Sequence, residues 1–216
     1  MRTLLLSLFY LLVFITIGVA SASQAHEVNI SDHLPHVDVM YDNERIRIER
    51  IQDTENLLDN SYAKTSRKCP PFCIQPLKAA PGVTTVSELE LLDFLMTDAK
   101  KGRGLLVDAR TDSWYKKGTI PGSINIPFTI FISPDDDPVM IKIFKAIGGT
   151  HDAKGNWNFS NGKKILLFCN GPWCQQSVRA IKGLMRHGYP PEKLYYYRGG
   201  MQSWQSLGLT TVVPKK

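Results

Sequence analysis

Apolar residues recur along this chain with two periods, and the switching between them outlines the architecture. From Val37 to Ile51 the period is two, with Val37 and Val39 before Asp42-Asn43 and Ile46, Ile48 and Ile51 after it, which predicts a β-hairpin. A helical period begins after Thr85-Val86-Ser87-Glu88, a capping-box sequence, and runs through Leu89, Leu92, Phe94, Leu95 and Met96. Leu105 to Ala109 and Lys164 to Phe168 are short apolar runs that do not alternate, as strands buried on both faces read. Ile124 to Pro127 and Leu194 to Tyr197 are two further short strands. Between them lie helices over Pro138 to Ile147, ended by Gly148-Gly149, and over Gln176 to His187, with Val178, Ile181, Leu184 and Met185 on one face and Gly188 at the C-cap. Lys154-Gly155-Asn156 predicts a turn flanked by Trp157 and Phe159, and Met201 to Leu207 a closing helix. Strands alternating with helices predict an α/β fold with a mainly parallel central sheet flanked by helices.

The first 25 residues break this pattern. Arg2 precedes a 17-residue, almost unbroken apolar run from Leu4 to Ala20, and Ala20-Ser21-Ala22 and Ser23-Gln24-Ala25 both fit a small-x-small cleavage site. This predicts a signal peptide over residues 1–25, export, most simply to a periplasm, and no stable membrane span after cleavage. The alternative is an uncleaved anchor, since such a run just reaches across a bilayer. No Cys follows the run, which argues against a lipoprotein. The chain has 26 Lys and Arg against 20 Asp and Glu, and loss of Arg2 takes the net charge from +6 to +5. The charges are scattered without a basic run, so no nucleic-acid partner is expected.

Residues 26–81 read as an N-terminal extension containing the hairpin, and residues 82–216 as the main domain. Asp53 to Lys68 is polar and without clear period; Cys69-Pro70-Pro71-Phe72-Cys73, Pro76 and Pro81 follow as a turn-rich linker or clamp. The four cysteines, Cys69, Cys73, Cys169 and Cys174, fall into two close pairs. Cys69 and Cys73 are a candidate structural disulfide in an oxidising compartment, with a second redox pair serving Cys169 as the other reading. Neither spacing matches a common zinc pattern, and His26, His33 and His36 are read as surface residues, so no metal and no cofactor are assigned.

Cys169 stands at the C-terminal end of a buried strand, where open α/β sheets bind ligands, and Asn170-Gly171-Pro172-Trp173-Cys174-Gln175 leads from it into a helix. A thiol there faces the positive end of the helix dipole, which favours the nucleophilic thiolate. Pro172 lacks an N–H, so Asn170, Gly171, Trp173, Cys174 and Gln175 offer five backbone donors to an anion. A buried structural thiol is the alternative for Cys169. Cys174 is either a small loop hydrophobe or a resolving thiol that closes a disulfide with Cys169. Trp173 is either an exposed lip of the pocket or loop packing.

Three stretches together resemble the signatures of rhodanese domains: Leu106-Val107-Asp108-Ala109-Arg110 with Trp114-Tyr115 and Gly118 to Pro127; Phe168-Cys169 with its loop; and Arg198-Gly199-Gly200 to Trp204 with Gly208 beyond. They occur in the family's order over roughly residues 82–213. The resemblance implies a rhodanese-like fold and a single-domain sulfurtransferase. Cys169 would take sulfane sulfur from thiosulfate or a persulfide or polysulfide, hold it as a persulfide stabilised by the loop amides, and pass it to a thiophilic acceptor such as cyanide, a small thiol or a protein thiol. Asp108 and Arg110 would support the site, and Gly199, Gly200 and Trp204 the fold.

There are departures from the family pattern. Thr119 stands where Gly-His-Ile-Pro has its histidine, Ser177 falls eight positions after Cys169, which makes the loop about two residues longer, and the loop holds no Arg or Lys. The last point weakens thiosulfate as donor. The related phosphatases and arsenate reductases use Cys-x5-Arg, and Gln175 occupies that Arg position. Two other functions compete with sulfur transfer: a thiol–disulfide redox protein using Cys169 and Cys174, and a non-catalytic binding module on the same scaffold.

Overall fold

The computed structural model describes residues 28–58, 61–152 and 154–215. The signal peptide expected over residues 1–25 lies outside the described residues. Two strands, β1 (His36–Tyr41) and β2 (Glu44–Glu49), form the N-terminal hairpin. Its turn residues Asp42 and Asn43 take φ of 53° and 64°. Asp and Asn tolerate that left-handed geometry, and a two-residue turn so built matches the twist of the strands.

The main sheet contains β3 (Thr84–Val86), β4 (Gly104–Asp108), β5 (Ser123–Asn125), β8 (Lys164–Phe168) and β9 (Leu194–Tyr197), all parallel, in the order β3-β9-β8-β4-β5. The pair β6 (Thr150–His151) and β7 (Trp157–Asn158) makes a small separate ribbon. The helices are α1 (Glu88–Phe94), α2 (Asp112–Tyr115), α3 (Phe128–Phe131), α4 (Pro138–Ala146), α5 (Gln176–Arg186) and α6 (Gly200–Ser206). Asp137 starts α4 by accepting the N–H groups of Val139 and Met140 at 2.8 and 2.9 Å, with Pro138 in the first turn, where its missing donor is harmless.

The central strands are covered on both faces, which is why they lack alternation. Ile165 and Leu167 of β8 point with Val107 and Tyr196 into a core shared with Phe131, Phe144, Ile181 and Leu184. Leu166 and Phe168 point the other way, with Leu106 and Tyr197, into a core shared with Leu91, Leu92, Met201 and Trp204. This second core also takes Val37, Val39, Ile48 and Tyr62. The extension is therefore part of one sheet-covering layer. The C-terminal strand of irregular chain stitches it down, with Thr210 N–H donating to Glu49 and Thr119 exchanging backbone bonds with Val212.

Two details differ from the sequence reading. Thr85 does not cap α1: Thr84 to Val86 pair with β9 as an edge strand, and the capping box is Ser87 with Glu90, two residues later. Leu89 and Met96 are exposed, while Leu91, Leu92, Phe94 and Leu95 are buried. The turn after α1 widens into a π-helical turn over Leu95–Ala99.

Candidate active site

The chain runs from β4 to β5 on one side, then returns across the sheet to β8 and continues to β9 on the other. The carboxyl ends of β4 and β8 thus flank the point where strand order reverses, the place where open sheets form a crevice. Asp108 ends β4 and Cys169 follows β8 directly.

The backbone of Cys169 is held by the start of α6. Met201 N–H donates to the Cys169 carbonyl at 3.0 Å and Gln202 N–H to that of Asn170 at 2.9 Å. This contact requires Gly200. Its φ is +56°, and a Cβ there would stand 2.4 Å from the Cys169 oxygen and 2.8 Å from the Gly171 nitrogen. The second glycine of the closing signature is therefore explained by close approach of two backbones, whereas the first, Gly199, is packed against the Ser203 and Tyr197 side chains. Gly171 is similarly enclosed by Gln202 and the Trp173 indole.

Under the loop lies a buried polar network. Asp108 and Arg110 are both 0% exposed. Arg110 donates to the Asp108 carboxylate from Nε at 2.8 Å and from Nη2 at 2.6 Å, and to the Gly118 carbonyl at 2.6 Å. Thr119, in the place of the family histidine, donates from Oγ1 to Asp108 at 2.8 Å. Burial alone would lower the guanidinium pKa, but the paired carboxylate outweighs it and the net shift is upward. Arg110 Nη1 reaches Asn170 Oδ1 at 3.2 Å, so a permanent cation sits one residue from Cys169. The loop contains no cation of its own; Arg110, two residues after β4, stands beneath it with its charge paired to Asp108.

Sequence reasoning missed the contribution of the extension. Tyr62 is buried and its hydroxyl donates to Asn170 Oδ1 at 2.8 Å while accepting from Arg110 at 3.0 Å. Burial, partly offset by Arg110, raises its pKa, so the phenol stays a neutral donor. Gln202 bridges the two segments, accepting from the Trp173 indole at 2.6 Å and donating to the Tyr62 carbonyl at 3.1 Å. Gln75 N–H donates to the Pro172 carbonyl at 2.7 Å. Phe72 packs edge-on against Trp173 with centroids 5.7 Å apart, and the Arg67 guanidinium lies 3.9 Å from the center of the Trp173 ring. Trp173 is thus half-buried between the extension and α6. The only signals were Tyr62 and Phe72 themselves, aromatic residues in segments without a clear hydrophobic period.

Cys169 and Cys174 are joined by a disulfide, with Cα atoms 6.1 Å apart, and are 2% and 5% exposed. Both sulfurs lie against the Gln176 side-chain oxygen, at 3.8 and 3.9 Å. Cys174 N–H donates to the Gly171 carbonyl, so it is withdrawn from the set of five amides expected to face an anion. Gln175 forms the entry to α5, its carbonyl accepting from Arg179. Cys69 and Cys73 are bonded to each other in the segment that covers the loop. Among the described residues, no group of three or more His, Cys, Asp or Glu is placed to hold a metal, and no helix is long and apolar enough to cross a membrane.

Residues 90–207 match the model of the rhodanese-like domain. Solved structures similar to this chain include a human single-domain sulfurtransferase, 24% identical, covering 57% of this chain and 96% of that one with a TM-score of 0.40. A single-domain sulfurtransferase of Saccharomyces cerevisiae is 18% identical over 58% of this chain and 91% of that one, also with a TM-score of 0.40. A Rhodopseudomonas palustris protein described as a possible tyrosine phosphatase is 20% identical over 62% of this chain and 88% of that one, with a TM-score of 0.45. No curated protein matches the chain.

Proposed function

The chain belongs to the rhodanese-like domain family, and from that premise we propose that it is an exported sulfurtransferase carrying sulfane sulfur on Cys169. The observation that carries this reading is the placement of Cys169. It follows β8 at the reversal of strand order, its carbonyl is clamped by α6, and Arg110 lies one residue away on Asn170. In the reduced protein the Cys169 thiolate attacks the outer sulfur of thiosulfate or of a persulfide or polysulfide. The donor's S–S bond breaks, sulfite or the donor thiolate leaves with the electron pair, and Cys169 holds the sulfur as a persulfide. Loop amides stabilise that anion, and the Asp108–Arg110 pair holds the loop through Asn170. An acceptor thiolate or cyanide then attacks the terminal sulfur and releases the Cys169 thiolate.

Cys174 gives the cycle a second exit. Its thiolate attacks the Cys169 sulfur of the persulfide, hydrosulfide leaves, and the Cys169–Cys174 disulfide forms. In that state Cys169 is not a nucleophile, so reduction precedes the next sulfur transfer. On this reading residues 1–25 direct export to a periplasm and are removed, residues 26–81 cover the site, and residues 82–216 carry the chemistry.

Reduced protein incubated with thiosulfate or polysulfide should gain the mass of one sulfur on Cys169, and cyanide should remove it as thiocyanate. Full transfer activity in Cys169→Ser refutes the proposal. A second reading, a thiol–disulfide redox protein, is favoured by the bond between Cys169 and Cys174. It expects a reversible disulfide and no retained sulfur in the same mass spectra.

A further inference from the structure

The proposed sulfur transfer leaves the other cysteine pair unused. The two pairs differ in access: Cys69 is exposed and Cys73 half-buried, whereas Cys169 and Cys174 are 2% and 5% exposed. Thiol–disulfide exchange requires the attacking sulfur to touch a sulfur of the disulfide. A macromolecular reductant therefore reaches the outer pair and is kept from the inner one.

The segments that carry the two pairs are in contact. Gln75, two residues after Cys73, donates its N–H to Pro172, two residues before Cys174, at 2.7 Å. Phe72, next to Cys73, packs on Trp173, next to Cys174. Cys73 thus lies between two residues that touch the inner loop just before Cys174. The contact is fastened to the core, since Arg198, following β9, donates to the Gln75 carbonyl at 2.9 Å. Arg67 stands over the Phe72 and Trp173 rings, at 5.9 and 3.9 Å from their centers. Arg67 thus adds a further contact between the two segments.

We propose that Cys69–Cys73 is a redox port: it accepts two electrons from an external protein dithiol and passes them to Cys169–Cys174 by thiol–disulfide exchange. The inference rests on reading the inner pair as a disulfide that must be opened before Cys169 acts. The steps balance. The external dithiol becomes a disulfide as Cys69–Cys73 becomes two thiols. The Cys73 thiolate attacks the Cys174 sulfur, the inner S–S bond breaks and Cys169 leaves as a thiolate. The Cys69 thiolate then attacks Cys73 in the mixed disulfide, and Cys174 leaves as a thiolate. The outer disulfide is restored, the inner pair is a dithiol, and the two protons lost by the outer thiols are taken up by the inner ones.

The test compares the oxidised protein with its Cys69→Ser/Cys73→Ser variant. A small thioredoxin, kept reduced by its reductase, serves as the protein dithiol and tris(carboxyethyl)phosphine as a small reductant. Alkylation and mass spectrometry follow the opening of Cys169–Cys174. Thioredoxin is expected to open the inner pair at least tenfold more slowly in the variant, while the phosphine opens it at the same rate in both proteins. Equal thioredoxin rates overturn the proposal, and so does a tenfold loss with both reductants, which places the effect in the loop itself. A second variant, Cys69→Ser, leaves Cys73 as an unpaired thiol in the segment that touches the inner loop. Non-reducing peptide mapping should find Cys73 linked to Cys174 and Cys169 free. Finding Cys73 free next to an intact Cys169–Cys174 bond overturns the proposal as well. Cyanolysable sulfur on Cys169 is scored separately. Its presence with a failed relay leaves the sulfur-carrier reading standing, and its absence with a working relay removes that reading alone.

Discussion

Replacing Asp108 with asparagine keeps the shape of the side chain and removes its charge from beneath Arg110. Both residues are fully buried, and the carboxylate accepts from Arg110 Nε, Nη2 and backbone N–H and from Thr119 Oγ1. Asparagine offers one oxygen where the carboxylate had two, and its amide N–H groups face donors. Breaking a buried pair by removing one partner costs about 3–5 kcal/mol, because the remaining charge is left uncompensated. A domain holds about 5–15 kcal/mol in total, so Asp108→Asn removes a large share. With an m-value of about 2 kcal/mol/M in urea, the unfolding midpoint should fall by about 2 M. Urea titration followed by tryptophan fluorescence measures this. A loss below about 1 kcal/mol, the scale of a solvent-exposed pair, refutes the claim that the pair is buried and matched. The double variant Asp108→Leu/Arg110→Met removes both charges and should be more stable than Asp108→Asn, because apolar replacement of a whole buried pair is often near neutral.

Other outcomes follow from the same geometry. Tyr62→Phe removes a donor to Asn170 and an acceptor for Arg110; hydrogen bonds to charged groups contribute about 1.5–3 kcal/mol, so urea midpoints should report a loss of about 2 kcal/mol, with faster alkylation of Cys169 after reduction. Gly200→Ala places a methyl group against the Cys169 carbonyl at a positive φ and should lower the melting temperature by at least 4 °C, the equivalent of about 2 kcal/mol for a chain of this size. His187 is held below the usual imidazole range, first by burial and then by Arg186, with Asp135 opposing. The unfolded chain therefore binds the proton first as pH falls, and stability is fully present above about pH 6.5 and declines below it. Urea midpoints at pH 7.5 and 5.5 should show that decline in the parent protein and a weaker one in His187→Gln.

The parallel strands and the long helices were legible in the sequence because burial on both faces writes unbroken apolar runs such as Lys164–Phe168, and a helix such as Gln176–Arg186 writes its inner stripe at 178, 181 and 184. Edge strand β3 was not legible. Its three residues fit a capping box as well as a strand, and only pairing with Tyr195 to Tyr197 decides between them. The sequence also singled out Cys169, its loop and the Asp108–Arg110 pair. The cover over that loop was hidden for two reasons. Its contacts join residues more than a hundred positions apart, as Tyr62 and Asn170 do. Several also use backbone groups, as between Gln75 and Pro172, and these leave no trace in residue type.

The layer formed by the hairpin and Tyr62 has a consequence for where this protein can be divided. A fragment beginning at residue 82, close to where family similarity starts, would uncover Leu91, Leu106, Leu166 and Trp204, which are now at most 1% exposed. It would also strip Asn170 and Arg110 of a shared partner beside Cys169. Such a fragment is expected to associate through its bared face. The shared core extends beyond the matched residues 90–207 into the hairpin and Tyr62. Variants, chimaeras and truncations of this chain should be designed to the wider boundary, beginning no later than Ile30, which packs on the same core.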